Sequence, residues 1–405
     1  EETPTSQIFF SKVNMNLLQK TIRYTVFKLS KQVIDYQSYN ALFVIMRSIY
    51  LQFANSSVLS DMCQLGHESV YFCNDKETGL KAIIAIHNTV LGPSLGGVRM
   101  WDYNNESEAI NDVLRLSRGM TYKASISGLN LGGGKGVIIG NQNNKTNEMM
   151  EKFGDFVNQL GGRYITAEDV GISPSDMISV KKKTNYVTGI PEGLGGSGDP
   201  SPMTAYGVYM GIKASAKFKW GSSELKGKSI MIQGTGKVGE SLIGYLQNED
   251  AELYISDISE ERVINVSNKY NIKKFNIGSD IYKYDTDIYC PCALGATLNS
   301  KSIDMLECSI VAGAANNQLE DEKKHGYQLF KKGILYAPDF LINSGGLINV
   351  YSEIANYDNN ESRFRTEKIF DTTLKILSQS EQNNISSHDA ALFLAEKRIL
   401  DKQKS

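Results

Sequence analysis

Ser229-Ile230-Met231-Ile232-Gln233-Gly234-Thr235-Gly236-Lys237-Val238-Gly239 decides the fold of this chain. A short apolar run meets a G-x-G-x-x-G turn and opens into a helical pattern running to Leu246, and that strand–turn–helix setting gives the glycines their meaning. The first permits a tight turn, the second lets a pyrophosphate approach the backbone, and the third lets helix and strand pack closely. Helix N–H groups then face the phosphates. Asp257 ends the next apolar run, 253–256, about 20 residues further on, where a ribose-binding acid belongs. A carboxylate there accepts both ribose hydroxyls and repels a 2′-phosphate. Ile258 and Ser259 follow with no adjacent Arg, so the expected cofactor is NAD rather than NADP.

Working outward, further apolar runs at 287–290, 309–312 and 334–336 alternate with helical patterns, which implies a doubly wound parallel sheet over 203–337. Upstream, 70–72, 81–87, 137–139, 163–166 and 186–188 read as strands of a mixed sheet within 62–202. A long charged helix is expected at 106–123, with Ala109, Val113, Leu116 and Met120 at spacings of three and four. Another is expected at 203–219, with Pro202 standing before it. The segment 338–405 is helical in pattern from 363 to 402 and is expected to pack back on the first lobe. The fold class is therefore α/β in two lobes, an N-terminal mixed-sheet catalytic domain and a Rossmann-type doubly wound NAD-binding domain.

Residues 1–61 differ, being free of glycine and mixing basic with apolar residues. Their most apolar part, 41–53, is interrupted by Arg47 and is shorter than the ~20 residues that cross a bilayer. No small-residue cleavage site follows an apolar core. We read them as an accessory extension of one or two helices, with an organelle-targeting leader as the alternative.

Composition narrows the function. The 43 Lys plus Arg against 45 Asp plus Glu leave a net charge of −2, which excludes the basic excess that nucleic-acid binding needs. Five cysteines with no C-x-x-C pair make neither a disulfide framework nor a zinc ribbon. No metal is expected, and a reducing, cytoplasmic compartment is. Glycine is concentrated in 92–140, 189–211 and 221–244, beside well-patterned apolar runs, as in loops that bring backbone close to a ligand.

Chemistry is read from the first lobe. Lys135 follows Gly132-Gly133-Gly134 and precedes an apolar strand, a setting that buries its ammonium. A buried lysine near a second cation loses its proton more readily and can act as a general base. Lys123 would be that second cation and a carboxylate anchor. A phosphate loop fails on spacing, since G-x-x-x-x-G-K-[ST] would begin at Leu129 and end at Gly136. Asp169 lies just past a strand end, where side chains project into clefts. The four histidines form no constellation, which leaves lysine with aspartate as the proton-handling pair.

The runs 91–101, 118–123, 129–135, 164–171, 198–202 and 338–350 resemble, in order, the Glu/Leu/Phe/Val amino-acid dehydrogenases, the leucine dehydrogenases most of all. The resemblance covers about residue 70 to the C-terminus. It implies reversible oxidative deamination of an L-amino acid with NAD, giving a 2-oxo acid, ammonium and NADH. Carried over, Lys123 binds the substrate carboxylate, Lys135 activates water, and Asp169 relays protons to and from the amino nitrogen. Gly96 and Gly97 approach the substrate through their backbone, with Met120 beside it. Thr204 and Asn316 hold the nicotinamide carboxamide and the substrate, while Cys292 and Ala293 line the adenosine side, Cys292 as a packing residue. Leu95, Ala167, Leu347 and Val350 form an aliphatic wall suited to branched-chain substrates. Leu95 stands where glutamate dehydrogenases carry a Lys, and Leu347 departs from the Val usual in leucine dehydrogenases. The resemblance also implies an even-numbered homo-oligomer, an octamer among the options. The alternative from another class is a non-catalytic NAD-binding structural or regulatory member.

Overall fold

Backbone packs directly on backbone where the sequence runs Gly132-Gly133-Gly134. A Cβ on Gly133 would lie 2.1 Å from the Thr121 nitrogen, and one on Gly132 would lie 1.9 Å from the Asn88 carbonyl oxygen. The computed structural model describes residues 57–272, 274–276, 280–355 and 358–405. Residues 1–61 and 62–405 are separate compact units. The expected helical extension thus lies almost wholly outside the described residues.

The elements in chain order are α1 (Val58–Leu65), β1 (Ser69–Asp75), β2 (Leu80–Asn88), β3 (Ser94–Trp101), α2 (Glu106–Ile126), β4 (Gly132–Ile139), α3 (Asn147–Gln159), β5 (Tyr164–Ala167), α4 (Pro174–Lys181) and α5 (Ser201–Trp220). There follow β6 (Ser229–Gln233), α6 (Lys237–Gln247), β7 (Glu252–Ser256), α7 (Glu260–Tyr270), β8 (Lys274–Asn276), β9 (Ile288–Pro291), α8 (Ser300–Met305), β10 (Ile310–Val311) and α9 (Glu322–Lys332). The last are β11 (Leu335–Tyr336), α10 (Asp339–Ile342), α11 (Gly345–Ala355), α12 (Asn359–Asn383) and α13 (Ser387–Gln403).

The first sheet has the order β1-β2-β4-β3-β5. β2 is antiparallel to both its neighbours, while β3 runs parallel to β4 and β5, so the sheet is mixed. The second sheet, β11-β10-β9-β6-β7-β8, is parallel throughout. With β6 counted as strand one its order is 3-2-1-4-5-6, the dinucleotide-binding order, and ligands lie at the β6/β9 crevice where that order reverses.

Local chemistry explains the elements. Asn105 caps α2 by accepting from the Glu108 N–H, and Glu106 and Glu108 sit in its positive first turn. The tail expected as one helical stretch is two helices, because Asn384 adopts the left-handed conformation that ends α12 and Ser386 caps α13. Residues 186–188 form only an isolated bridge, Thr166 with Val187. The strand expected at 137–139 starts at Gly132, and β3 runs through Gly96-Gly97. These glycines are in strands rather than loops, since close packing takes the place of side chains.

A continuous core joins the sheets, from Leu95, Leu129, Leu131 and Ile165 through Val208 and Ile212 of α5 to Ile230, Ile232 and Ile255. α13 lies along α2, with Arg398 donating to the Leu129 carbonyl at 2.7 Å and Ser125 Oγ donating to the Ala395 carbonyl at 2.7 Å. Among the described residues no helix is long and apolar enough to cross a membrane.

Gly133→Ala is expected to destabilise the protein by about 1–3 kcal/mol or more, because an added methyl meets helix backbone that has no rotamer to yield. A urea unfolding midpoint equal to that of the parent would contradict this packing argument.

Candidate active site

Side chains alternate along a strand, so Gly133 and Lys135 share one face of β4. That face packs on α2, whose last turn carries Lys123. The missing side chain at Gly133 therefore lets the helix come close enough to set both lysines in the wall of one cavity of about 520 Å³. Asp169 follows β5 in a turn strapped to β3. The Met100 N–H donates to the Val170 carbonyl at 2.9 Å, and a Cβ on Gly171, at φ +78°, would lie 2.4 Å from the Met100 carbonyl oxygen.

Lys135 is 6% exposed, and its Nζ lies 2.8 Å from Asp169 Oδ2. Arg99 Nε donates to the same oxygen at 3.0 Å. Burial pushes the Asp169 carboxyl up, but the charges of Lys135 and Arg99 prevail and hold it down to about 2. Burial holds the Lys123 ammonium down to about 8, with Asp339 pulling upward and Lys135 pressing further down. Lys123 Nζ donates to Asn316 Oδ1 at 3.5 Å, and Asn343 Nδ2 donates to the same oxygen at 2.8 Å.

The cavity wall also holds Leu95, Gly97, Met120 and Ala167 from the first lobe, Thr204 and Val238, and Leu347 and Val350 from α11. Gly96 is not in the wall. Its Cβ would sit 1.7 Å from the Gly134 carbonyl oxygen, and its own carbonyl accepts from Tyr164 Oη at 2.7 Å, so close strand packing accounts for that glycine.

The other residues expected at the cofactor lie at the C-terminal ends of β6, β7 and β9. Gly234, at φ +101°, passes so near Ala293 that a Cβ would lie 2.8 Å from its nitrogen, and a Cβ on Gly239 would lie 2.0 Å from the Gly234 carbonyl oxygen. A Cβ on Gly236 meets nothing within 4 Å, and no side chain caps the helix that starts at Lys237. Open space above uncapped helix N–H groups fits a pyrophosphate. Burial pushes the Cys292 thiol up to about 12, so it is no nucleophile at neutral pH. Ile258 is exposed. Asp257 Oδ2 accepts from the Thr235 N–H at 2.8 Å, and Oδ1 accepts from the Ser259 N–H at 2.9 Å. Arg262 Nη1 comes within 3.6 Å of Asp257, because Ser259 caps α7 and its first turn carries Arg262 back. An Arg is thus near the expected ribose-binding acid, although none is adjacent in sequence.

Sequence reasoning missed Arg99, Asp112, Asp339 and Asn343. The signal for Arg99 was a lone charge inside the apolar run after Gly97. Among the described residues no group of three His, Cys, Asp or Glu is placed to hold a metal.

Residues 67–186 match the family model described as Glu/Leu/Phe/Val dehydrogenase, dimerisation domain, and residues 251–405 match that of Glutamate/Leucine/Phenylalanine/Valine dehydrogenase. The chain belongs to this family. It is an NAD-dependent amino-acid dehydrogenase, an oxidoreductase acting on amino acids and 2-oxo acids. Leucine dehydrogenase of Bacillus subtilis is 49% identical over 334 residues, covering 82% of this chain and 91% of the relative. Phenylalanine dehydrogenase of Bacillus thermotolerans is 44% identical over 338 residues, 82% of this chain and 88% of the relative. The crystal structure of L-tryptophan dehydrogenase from Nostoc punctiforme matches with a TM-score of 0.77 at 43% identity, covering 86% of this chain and 100% of that one. Residues 1–65 match a model described as the central region of minor capsid protein P8.

The two helix-turn glycines should respond differently to a methyl group. Gly236→Ala is expected to leave thermal unfolding unchanged while weakening NADH binding about tenfold, or about 1.4 kcal/mol. Gly239→Ala should lower the unfolding temperature as well. Equal NADH affinity in Gly236→Ala and parent, by fluorescence titration, would remove Gly236 from the cofactor cradle.

Proposed function

We propose that the chain is a leucine dehydrogenase, catalysing reversible oxidative deamination of L-leucine and other branched-chain L-amino acids to 2-oxo acids with release of ammonium. The observation that carries this reading is the aliphatic wall, Leu95, Ala167, Leu347 and Val350, lining the cavity that also holds Lys123, Lys135 and Asp169. Identity alone does not separate the substrates, since relatives named for leucine and for phenylalanine stand at 49% and 44%. The wall does. Leu95 is 2% exposed and Leu347 is 8% exposed, so both are packed in place and present an aliphatic surface to the cavity. A glutamate side chain would bury its carboxylate against Leu95 without a partner, at a cost of several kcal/mol.

In this reading Lys123 holds the substrate carboxylate, and the Gly97 backbone and Met120 flank the α-carbon. Lys135 takes a proton from water as that water approaches the imine carbon. Asp169, held ionised by Lys135 and Arg99, attracts the substrate ammonium and carries protons to and from its nitrogen. The Gly234–Gly239 turn would hold the pyrophosphate of NAD, Asp257 its ribose, and Thr204 and Asn316 its carboxamide, and NAD supplies the hydride acceptor when bound. We further read the chain as a cytoplasmic homo-oligomer, in keeping with the dimerisation domain to which residues 67–186 match.

Leucine, isoleucine and valine are expected to outpace glutamate, phenylalanine and tryptophan when NADH absorbance is followed, and an aromatic amino acid in the lead would sink the wall argument. Lys135→Ala should abolish turnover with NADH affinity retained.

A carboxylate anchor must be protonated, and the Lys123 ammonium sits at about 8. Inhibition by 4-methylpentanoate should therefore weaken about tenfold per pH unit above pH 8, while inhibition by neutral 4-methylpentanamide stays flat. Parallel profiles for the two would remove Lys123 from the anchor role.

A further inference from the structure

Asp169 carries two cations on one oxygen and none on the other. Lys135 Nζ and Arg99 Nε both address Oδ2, at 2.8 and 3.0 Å, and no described residue donates to Oδ1. Arg99 extends from β3, and its other arm is fixed. Its Nη1 donates to Asp112 Oδ2 at 2.9 Å, the Tyr103 hydroxyl donates to that same oxygen at 2.7 Å, and Arg115 Nη2 lies 3.2 Å from Asp112 Oδ1. The guanidinium therefore spans from the Asp169 turn to helix α2 in a geometry that a single ammonium cannot reproduce.

This arrangement answers a difficulty in the reaction. Lys135 cannot be at once the cationic counter-charge of Asp169 and a neutral amine ready to take a proton from water. Each time Lys135 is neutral, Asp169 would lose its main cation, gain proton affinity and turn its carboxylate. Arg99 never deprotonates in a protein, so it keeps the charge constant. We propose that Arg99 is a positioning residue for proton transfer, clamping Asp169 Oδ2 between β3 and α2 so that Oδ1 stays free for the substrate nitrogen while Lys135 cycles. The proposal rests on the reading of Lys135 and Asp169 given above. The proton that leaves the substrate ammonium goes to Asp169 Oδ1 and from there to solvent, with no change at Arg99.

The charged groups that face Asp169 set the sign of the test. Lys135 on β4, Arg99 on β3 and Lys123 on α2 favour its ionised form, whereas neighbouring Glu168 and, through Arg99, Asp112 oppose it. Removing the Arg99 charge raises the proton affinity of Asp169, so a reaction that needs the carboxylate loses rate at higher pH than before.

The experiment is the pH profile of kcat/KM for leucine deamination in the parent, Arg99→Gln, Arg99→Lys and Asp169→Asn enzymes, with NADH affinity measured alongside. In Arg99→Gln the acid limb should move up by about one pH unit, a tenfold loss at a fixed acid pH, with NADH binding retained. Arg99→Lys should restore the limb but keep a several-fold lower kcat, since one ammonium does not reach both carboxylates. A loss in Arg99→Gln that is uniform across pH would overturn the proposal. So would an Arg99→Lys enzyme equal to the parent, which remains decisive if Arg99→Gln fails to fold. Full activity in Asp169→Asn would instead overturn the reading of Asp169 itself, and the proposal with it. An inactive Asp169→Asn beside an unmoved Arg99→Gln limb overturns only the proposal.

Discussion

The approach of helix α2 to strand β4 is the constraint on which the site depends. At Gly133 the helix backbone occupies the volume a side chain would fill, and that single omission fixes how far apart Lys123 and Lys135 sit. Gly134 does the same on the opposite face, where a Cβ would meet the Tyr164 ring at 2.7 Å. β4 is thus pinned from both sides along its first three residues. A lysine two positions past Gly133 inherits that rigidity. Its side chain emerges toward the helix, into a cavity whose depth is set by backbone contact rather than by adaptable side-chain packing.

Once two ammonium groups and the Arg99 guanidinium converge on one cavity, the remaining chemistry is largely electrostatic. Uncompensated, such charges could not be taken from water. Each has an acidic counterpart supplied by a different element: Asp169 from the turn after β5, Asp112 from α2 and Asp339 from α10. The pairing is unequal. Asp169 contacts Lys135 directly, whereas Asp339 acts on Lys123 without a direct ion pair, and the Lys123 ammonium is left with depressed basicity. The two lysines, similar in sequence setting, thereby differ in their partners.

This difference also marks where the sequence was legible. The second lobe could be read almost strand by strand, because parallel strands buried on both faces appear as short apolar runs and the turn after β6 has a glycine spacing with one mechanical meaning. The first lobe was harder. β3 and the start of β4 are built from glycines that strand propensity disfavours, and only the packing of α2 and β5 against them makes them strands. Lys135 and Asp169 could be singled out because each stands beside such a glycine run or a strand end, and Lys123 as the second cation expected near Lys135. Arg99 and Asp112 could not, since the pair joins a strand to a helix 13 residues away and neither has a motif. Arg262 escaped for a related reason. Proximity to Asp257 comes from the Ser259 cap, which turns the helix back over the strand end.

The proposed substrate wall has a mechanical asymmetry. Leu95 and Ala167 belong to the paired strands β3 and β5, with Gly97 opposite Ala167, so their half of the wall is as rigid as the sheet. Leu347 and Val350 lie three apart on α11, one face of a helix, and the place of that helix is set elsewhere. A Cβ on Gly345 would lie 2.0 Å from the Met203 carbonyl oxygen, which fixes the start of α11 against α5. Three residues beyond Val350, Glu353 accepts from the Gly189 N–H at 3.1 Å and from the Ser197 N–H and hydroxyl at 2.9 and 2.6 Å. The helix that forms the other half of the wall is therefore tied at one end to α5 and at the other to the segment leading into it. In the proposed reading, side-chain selectivity depends on that tether as well as on the four aliphatic residues. A one-methylene change such as Leu for Val at position 347 is worth only about 1–3 kcal/mol.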